Sequence, residues 1–75
     1  MADRLPAVRP RDIIRALQSG GFILDRQSGS HVGLLHPETG RKVTVAMHNK
    51  DVKRGTLAGI IRQSGLSRDE FVRFL

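Results

Sequence analysis

The chain has no cysteine, no tryptophan and no tyrosine, and it has only three phenylalanines. Each shortage removes a class of protein. Without cysteine there is neither a disulfide framework nor a thiolate metal site, the usual staples of a small secreted domain, and the composition suits a reducing cytoplasm. No apolar run approaches the roughly 20 residues of a membrane span. The start Met1-Ala2-Asp3-Arg4-Leu5-Pro6 lacks the apolar stretch of a signal peptide, so a soluble, unexported protein is expected. The lack of aromatics argues against a reader that stacks single-stranded bases on aromatic platforms. Any nucleic-acid contact should run through backbone charge and groove shape instead.

What the chain has in excess is positive charge. Thirteen Lys and Arg against seven Asp and Glu leave +6 on 75 residues. That density favours polyanion partners through phosphate contacts and counterion release, with nucleic acid the first expectation and an acidic protein the second. The length allows a single domain with a thin core. Residues 1–9 carry Pro6 and charged side chains without periodicity and read as a partly ordered lead-in, leaving 10–75 as the domain.

From Pro10 the pattern becomes helical. Ile13, Ile14 and Leu17, with Ala16 beside them, recur at three- and four-residue spacing, while Arg11, Arg15 and Gln18 fall on the other side. Pro10 suits the first turn, Asp12 the positive end of the dipole, and Gly20-Gly21 the stop. A strand follows from Phe22 to about Gln27, and a second from Ser30 to His36 after the Ser28-Gly29 turn. The apolar pattern of the first strand asks for an odd-length loop with a bulge at Gly29, which would set His31 beside Asp25 or Gln27.

In the second strand Val32 and Leu34 alternate with His31, Gly33 and Leu35, which places His31 away from the core. Pro37-Glu38-Thr39-Gly40 is a turn. The third strand, about Arg41 to Met47, alternates Val43, Val45 and Met47 against Lys42, Thr44 and Ala46. Pairing His36 with Arg41 across the turn sets His31 opposite Ala46 and Gly33 opposite Thr44.

The stretch His48-Asn49-Lys50-Asp51-Val52-Lys53-Arg54-Gly55 reads as a basic loop, and helical spacing restarts with Leu57, Ile60 and Ile61 over about Thr56 to Ser64. Gly59 inside that helix costs about 1 kcal/mol relative to Ala and suggests close packing. After Gly65, Ser67 and Glu70 form a capping-box pair, with Leu66 and Phe71 as a hydrophobic staple, and open a short last helix. The fold class that results is α+β: α-β-β-β-α-α, a three-stranded antiparallel sheet covered by helices on one face, which resembles the double-stranded RNA-binding domain.

The assembled residues resemble the HicA family of bacterial toxins. The resemblance runs from about Pro10 to Leu75. It rests on the helix ending in Gly20-Gly21-Phe22, the Gly29-Ser30-His31 motif, the His36-Pro37 turn, the Val43-Thr44-Val45 strand and the His48 loop. Lys53-Arg54-Gly55-Thr56-Leu57 ahead of Ile60-Ile61, and Gly65-Leu66-Ser67 ahead of Glu70-Phe71, complete it. Two positions depart from the family pattern: Ala46 stands where a proline is common, and Asn49 where a glycine is common. Both bear on the loop of His48 and not on His31.

The resemblance implies an mRNA interferase, a metal-independent endoribonuclease held inactive by a cognate HicB antitoxin, with His31 as the catalytic histidine and no cofactor. Chemistry without a metal needs a base at the 2′-OH, an acid at the departing oxygen and fixed cations for the transition state. Arg26, Lys42 and Lys50 are the candidate cations near the scissile phosphate, and Lys53 and Arg54 are candidates for flanking phosphates. Ser28, Gly29 and Ser30 would let the RNA backbone approach closely. His48 is a further candidate, since its charged loop could border the RNA path.

Plainer readings stand beside these. His31 alone could be an exposed strand histidine, His36 a turn-flanking residue, Arg11 and Arg15 solvated surface, and Leu35 an exposed strand residue or part of the antitoxin's docking patch. No pair among His31, His36 and His48 has recognised metal-ligand spacing. A non-catalytic double-stranded RNA-binding module is the alternative function, and a domain that binds an acidic protein the third.

Overall fold

The computed structural model describes residues 7–75. Among them the order is α1 (Pro10–Ser19), β1 (Ile23–Ser28), β2 (His31–Leu35), β3 (Lys42–Ala46), α2 (Arg54–Ser64) and α3 (Arg68–Phe74). The strands form one antiparallel sheet in the order β1-β2-β3. This is the α+β architecture of the double-stranded RNA-binding domain, as expected from the sequence.

Alternation along β2 and β3 divides the sheet into two unlike faces. Val32, Leu34, Val43 and Val45 are buried beneath α1 and α2, together with Ile13, Leu17, Leu57, Ile60 and Ile61. Phe71 of α3 is fully buried in the same core. On the opposite face His31, Lys42, Thr44 and Ala46 are exposed, and no helix among the described residues covers them. The site therefore sits on the sheet's open side.

Local chemistry holds the ends of the elements. The Arg9 amide donates to the Asp12 carboxylate at 3.2 Å and opens α1. Ser67 and Glu70 exchange hydrogen bonds of 2.9 and 3.0 Å at the start of α3, as a capping box requires. At the end of α2, Gly65 adopts φ +78°, and the Arg41 guanidinium lies over it while donating to the Gln63 carbonyl at 3.3 Å. The buried Ser64 hydroxyl donates to the Ile61 carbonyl and accepts from the Leu66 amide.

Residues 1–6 of the expected lead-in lie outside the described residues. Val8, just beyond them, is buried, and its carbonyl accepts from the Val52 amide at 2.8 Å. Arg9 pairs with Asp51 at 3.2 Å. These bonds tie the entry of α1 to the loop between β3 and α2. Val52, within what the sequence presents as a polar loop, is thereby part of the core.

Three expectations need correction. The β2–β3 register is as anticipated, with His31 opposite Ala46, Gly33 opposite Thr44 and His36 bonded to Arg41. The β1–β2 hairpin differs: Ser28 pairs directly with His31, so the loop is the two residues Gly29 and Ser30, and neither Asp25 nor Gln27 stands opposite the histidine. The extra residue is Asp25, bulged inside β1, where the register shifts between Leu24 and Arg26. The parity change assigned to Gly29 occurs four residues earlier, and Leu24 still pairs with Leu34 on the helix side.

The second correction concerns α2, which begins at Arg54 and so takes in two residues assigned to the loop. The third concerns Gly59. A Cβ built there meets only the end of Arg62 at 3.8 Å, so close packing is not what the glycine provides.

Candidate active site

His31 is the first residue of the central strand, delivered by a turn that only glycine fits comfortably. Gly29 has φ +59° and no other residue type in the described chain has a positive φ, so Ser30 follows with a negative one. Those signs match a type II′ hairpin, in which glycine occupies the first central position. A Cβ on Gly29 would touch nothing within 4 Å, so the turn is open to solvent. Ser30 is anchored from the other side, because its carbonyl accepts from the Met47 amide at 2.6 Å.

Three cross-strand rows make up the open face. Ser28, His31 and Ala46 form the first, Arg26, Gly33 and Thr44 the second, and Ile23, Leu35 and Lys42 the third. His31 is thus flanked by a hydroxyl and a methyl group, which leaves room above the ring. Its side chain makes no hydrogen bond among the described residues, so both ring nitrogens are free to meet a ligand. Leu35 is half-buried beside the exposed Ile23, at the far end of the face from the histidine.

The cations fall into two groups. Arg26 and Lys42 lie on the open face itself, one and two rows from His31, and neither is engaged by another described side chain. Lys50, Lys53 and Arg54 belong to the segment that leaves the sheet after Ala46, at the histidine's end. Lys53 is the N-cap of α2 and Arg54 its first residue, with no acidic residue in the first turn and no side-chain cap. That helix end is therefore doubly positive, from its side chains and from its unpaired amides. By contrast Arg9 and Arg41 are occupied by Asp51 and by the Gln63 carbonyl.

His48 lies two residues beyond Ala46. Its Nδ1 accepts from the Lys50 amide at 3.4 Å, which leaves Nε2 as the nitrogen without a hydrogen bond among the described residues. It lines a cleft with Arg9, Pro10, Arg11, Asp12, Met47 and Asn49. Arg11 thus lines the same cleft as His48, although the sequence presents it only as helix surface. The signal for that proximity is the long-range contact between residues 8–9 and 51–52, which no local pattern reveals.

His36 does structural work. Its Nδ1 accepts from the amides of Glu38 and Thr39 at 3.2 and 3.4 Å, and its ring stands edge-on to Phe22 with centroids 5.1 Å apart. Among the described residues no three His, Asp or Glu side chains are grouped to hold a metal ion. No helix among them is long and apolar enough to cross a membrane.

The sequence matches the family model described as HicA toxin of bacterial toxin-antitoxin over residues 10–66. The chain belongs to the HicA toxin family. No curated protein matches it. As a HicA toxin it is one half of a toxin–antitoxin system, and a cognate antitoxin is the partner its membership implies. The matched region runs from the first residue of α1 through the whole sheet and α2 to Leu66, so every candidate site residue of this HicA domain falls inside it.

Proposed function

We propose that the chain is a cytoplasmic endoribonuclease that cleaves mRNA without a metal ion, with His31 as general acid or base, and that a HicB-type antitoxin holds it inactive. The observation that carries this reading is the position of His31. It stands exposed on an uncovered sheet face, at the start of the central strand between Ser28 and Ala46, with the unengaged Arg26 and Lys42 farther along the sheet and the basic segment 50–54 leaving the sheet at the histidine's own end. Membership of a toxin family supplies the biological setting.

The reaction needs no group beyond the chain and the RNA. A base takes the proton from the 2′-OH, the 2′ oxygen attacks the adjacent phosphorus, the bond from phosphorus to the 5′ oxygen breaks, and an acid protonates that oxygen. The products are a 2′,3′-cyclic phosphate and a 5′-hydroxyl. His31 performs one of the two proton transfers, a contribution worth about 10²–10⁴-fold in rate.

His48 is the second imidazole at this end of the sheet, and its Nε2, without a hydrogen bond among the described residues, suits it to assist. Lys50, at the histidine's end of the sheet, offsets the charge that builds on the phosphorane oxygens. Lys53 and Arg54, at the amide-rich start of α2, hold flanking phosphates. The amides of the Gly29–Ser30 turn face the approaching backbone.

The alternative, a double-stranded RNA-binding module without chemistry, would use the same basic surface. A chimeric oligonucleotide separates the two: a DNA strand carrying a single ribonucleotide. Cleavage only at the ribonucleotide, unchanged by a chelator, is the expected result. Cleavage at deoxynucleotides, loss of cleavage in chelator, or tight binding with no cleavage would overturn the reading.

A further inference from the structure

One row along β2 from His31, the sheet has a floor without a side chain. Gly33 lies between Arg26 of β1 and Thr44 of β3, and the shallow depression there is lined by Asp25, Arg26, Gly33, Lys42 and Thr44. A Cβ on Gly33 would stand 3.2 Å from Arg26 Cγ and 3.7 Å from the Arg26 carbonyl, so the arginine's stem lies over the glycine. An alanine at 33 would push the stem by a few tenths of an ångström, and a bulkier side chain would displace it.

Two free cations and a hydroxyl around this shallow depression form a phosphodiester's recognition chemistry. The guanidinium can offer two parallel N–H donors, the ammonium adds a point charge, and Thr44 donates its hydroxyl proton. The missing Cβ lets the Arg26 stem lie close against the sheet and keeps the depression shallow. Residues 31 and 33 are two positions apart on one strand, about 6.6 Å. That separation is one step of an RNA backbone.

Resting on the reading of His31 as the cleavage residue, we propose that this depression is a phosphate subsite. It holds the phosphodiester next to the scissile one, through Arg26, Lys42 and Thr44. The RNA then runs along β2, and the bulge at Asp25 belongs to the subsite, because it sets Arg26 opposite Gly33. Asp25 is the one acidic group at the rim, and its carboxylate opposes the phosphate.

The test uses a single-ribonucleotide substrate in which one phosphate at a time is replaced by a neutral methylphosphonate. In the wild-type protein, neutralising the neighbour on one side of the cleavage site lowers kcat/KM about tenfold, the weight of one exposed charge-assisted contact. In Arg26→Gln and Lys42→Gln the same replacement costs much less, because the partner is already gone. Asp25→Asn raises kcat/KM for the fully charged substrate. Gly33→Leu, whose bulk displaces the Arg26 stem, shifts the methylphosphonate penalty in the same direction as Arg26→Gln, with an unchanged melting midpoint as the check on folding.

Equal methylphosphonate penalties in wild type and variants overturn the subsite while leaving the enzyme reading intact. A loss of activity in Asp25→Asn does the same, since the acid would then be holding the substrate. Absence of cleavage of any substrate overturns both.

Discussion

His31 and Ala46 stand directly opposite one another on β2 and β3, both exposed on the uncovered face of the sheet. The methyl group is the smallest side chain that could be placed there, and it leaves the space over the imidazole open to a scissile phosphate. Ala46→Leu fills that space without touching the core. Cleavage should fall by about 10–100-fold, since small displacements of a reacting group are costly. Stability should change by no more than about 0.5 kcal/mol. Steady-state kinetics alongside a thermal melt measures both.

The turn before the histidine is the backbone in the site that depends most on glycine. Gly29→Ala forces a side chain into φ +59°, at about 1–2 kcal/mol. In a domain of this size each kcal/mol lowers the melting midpoint by roughly 4–8 °C. Because a Cβ there meets nothing, steric collision adds nothing to the penalty. A midpoint that does not fall would mean the hairpin adopts another turn.

Gly59 offers the opposite sign. It lies inside α2 with a negative φ, and an added methyl would meet only the tip of Arg62. Gly59→Ala should stabilise the fold by about 1 kcal/mol through helix propensity and the smaller entropy of the unfolded chain. Activity should be untouched. Denaturant unfolding of the two proteins provides the comparison.

Much of this architecture is written in local signals. Ser67 and Glu70 announce a helix start wherever they occur at that spacing, and Gly65 announces the stop before it. The alternation of Val43 and Val45 with Lys42 and Thr44, joined to Val32 and Leu34 by a four-residue turn, has one register that buries every valine. That register alone places His31 beside Ala46.

β1 resists such reading for a physical reason. Every residue of the strand is exposed, so burial imposes no alternation on it, and the bulge at Asp25 has no local signature to mark it. The cleft that Arg11 and His48 share is hidden for a different reason. It depends on Val8 bonding to Val52 and Arg9 pairing with Asp51, contacts separated by more than 40 residues of sequence. The Arg26–Gly33–Thr44 row became visible only when the two hairpin registers were combined.

The measurement that bears most directly on the central claim compares the wild-type protein with His31→Ala, scoring RNA cleavage, RNA affinity and growth arrest together. The exposed ring makes no hydrogen bond among the described residues, so the variant should fold and should bind RNA with nearly unchanged affinity. Cleavage and growth arrest should both be lost. Retained cleavage in the folded variant would contradict the assignment of His31, and RNA binding without cleavage by either protein would contradict the enzyme itself.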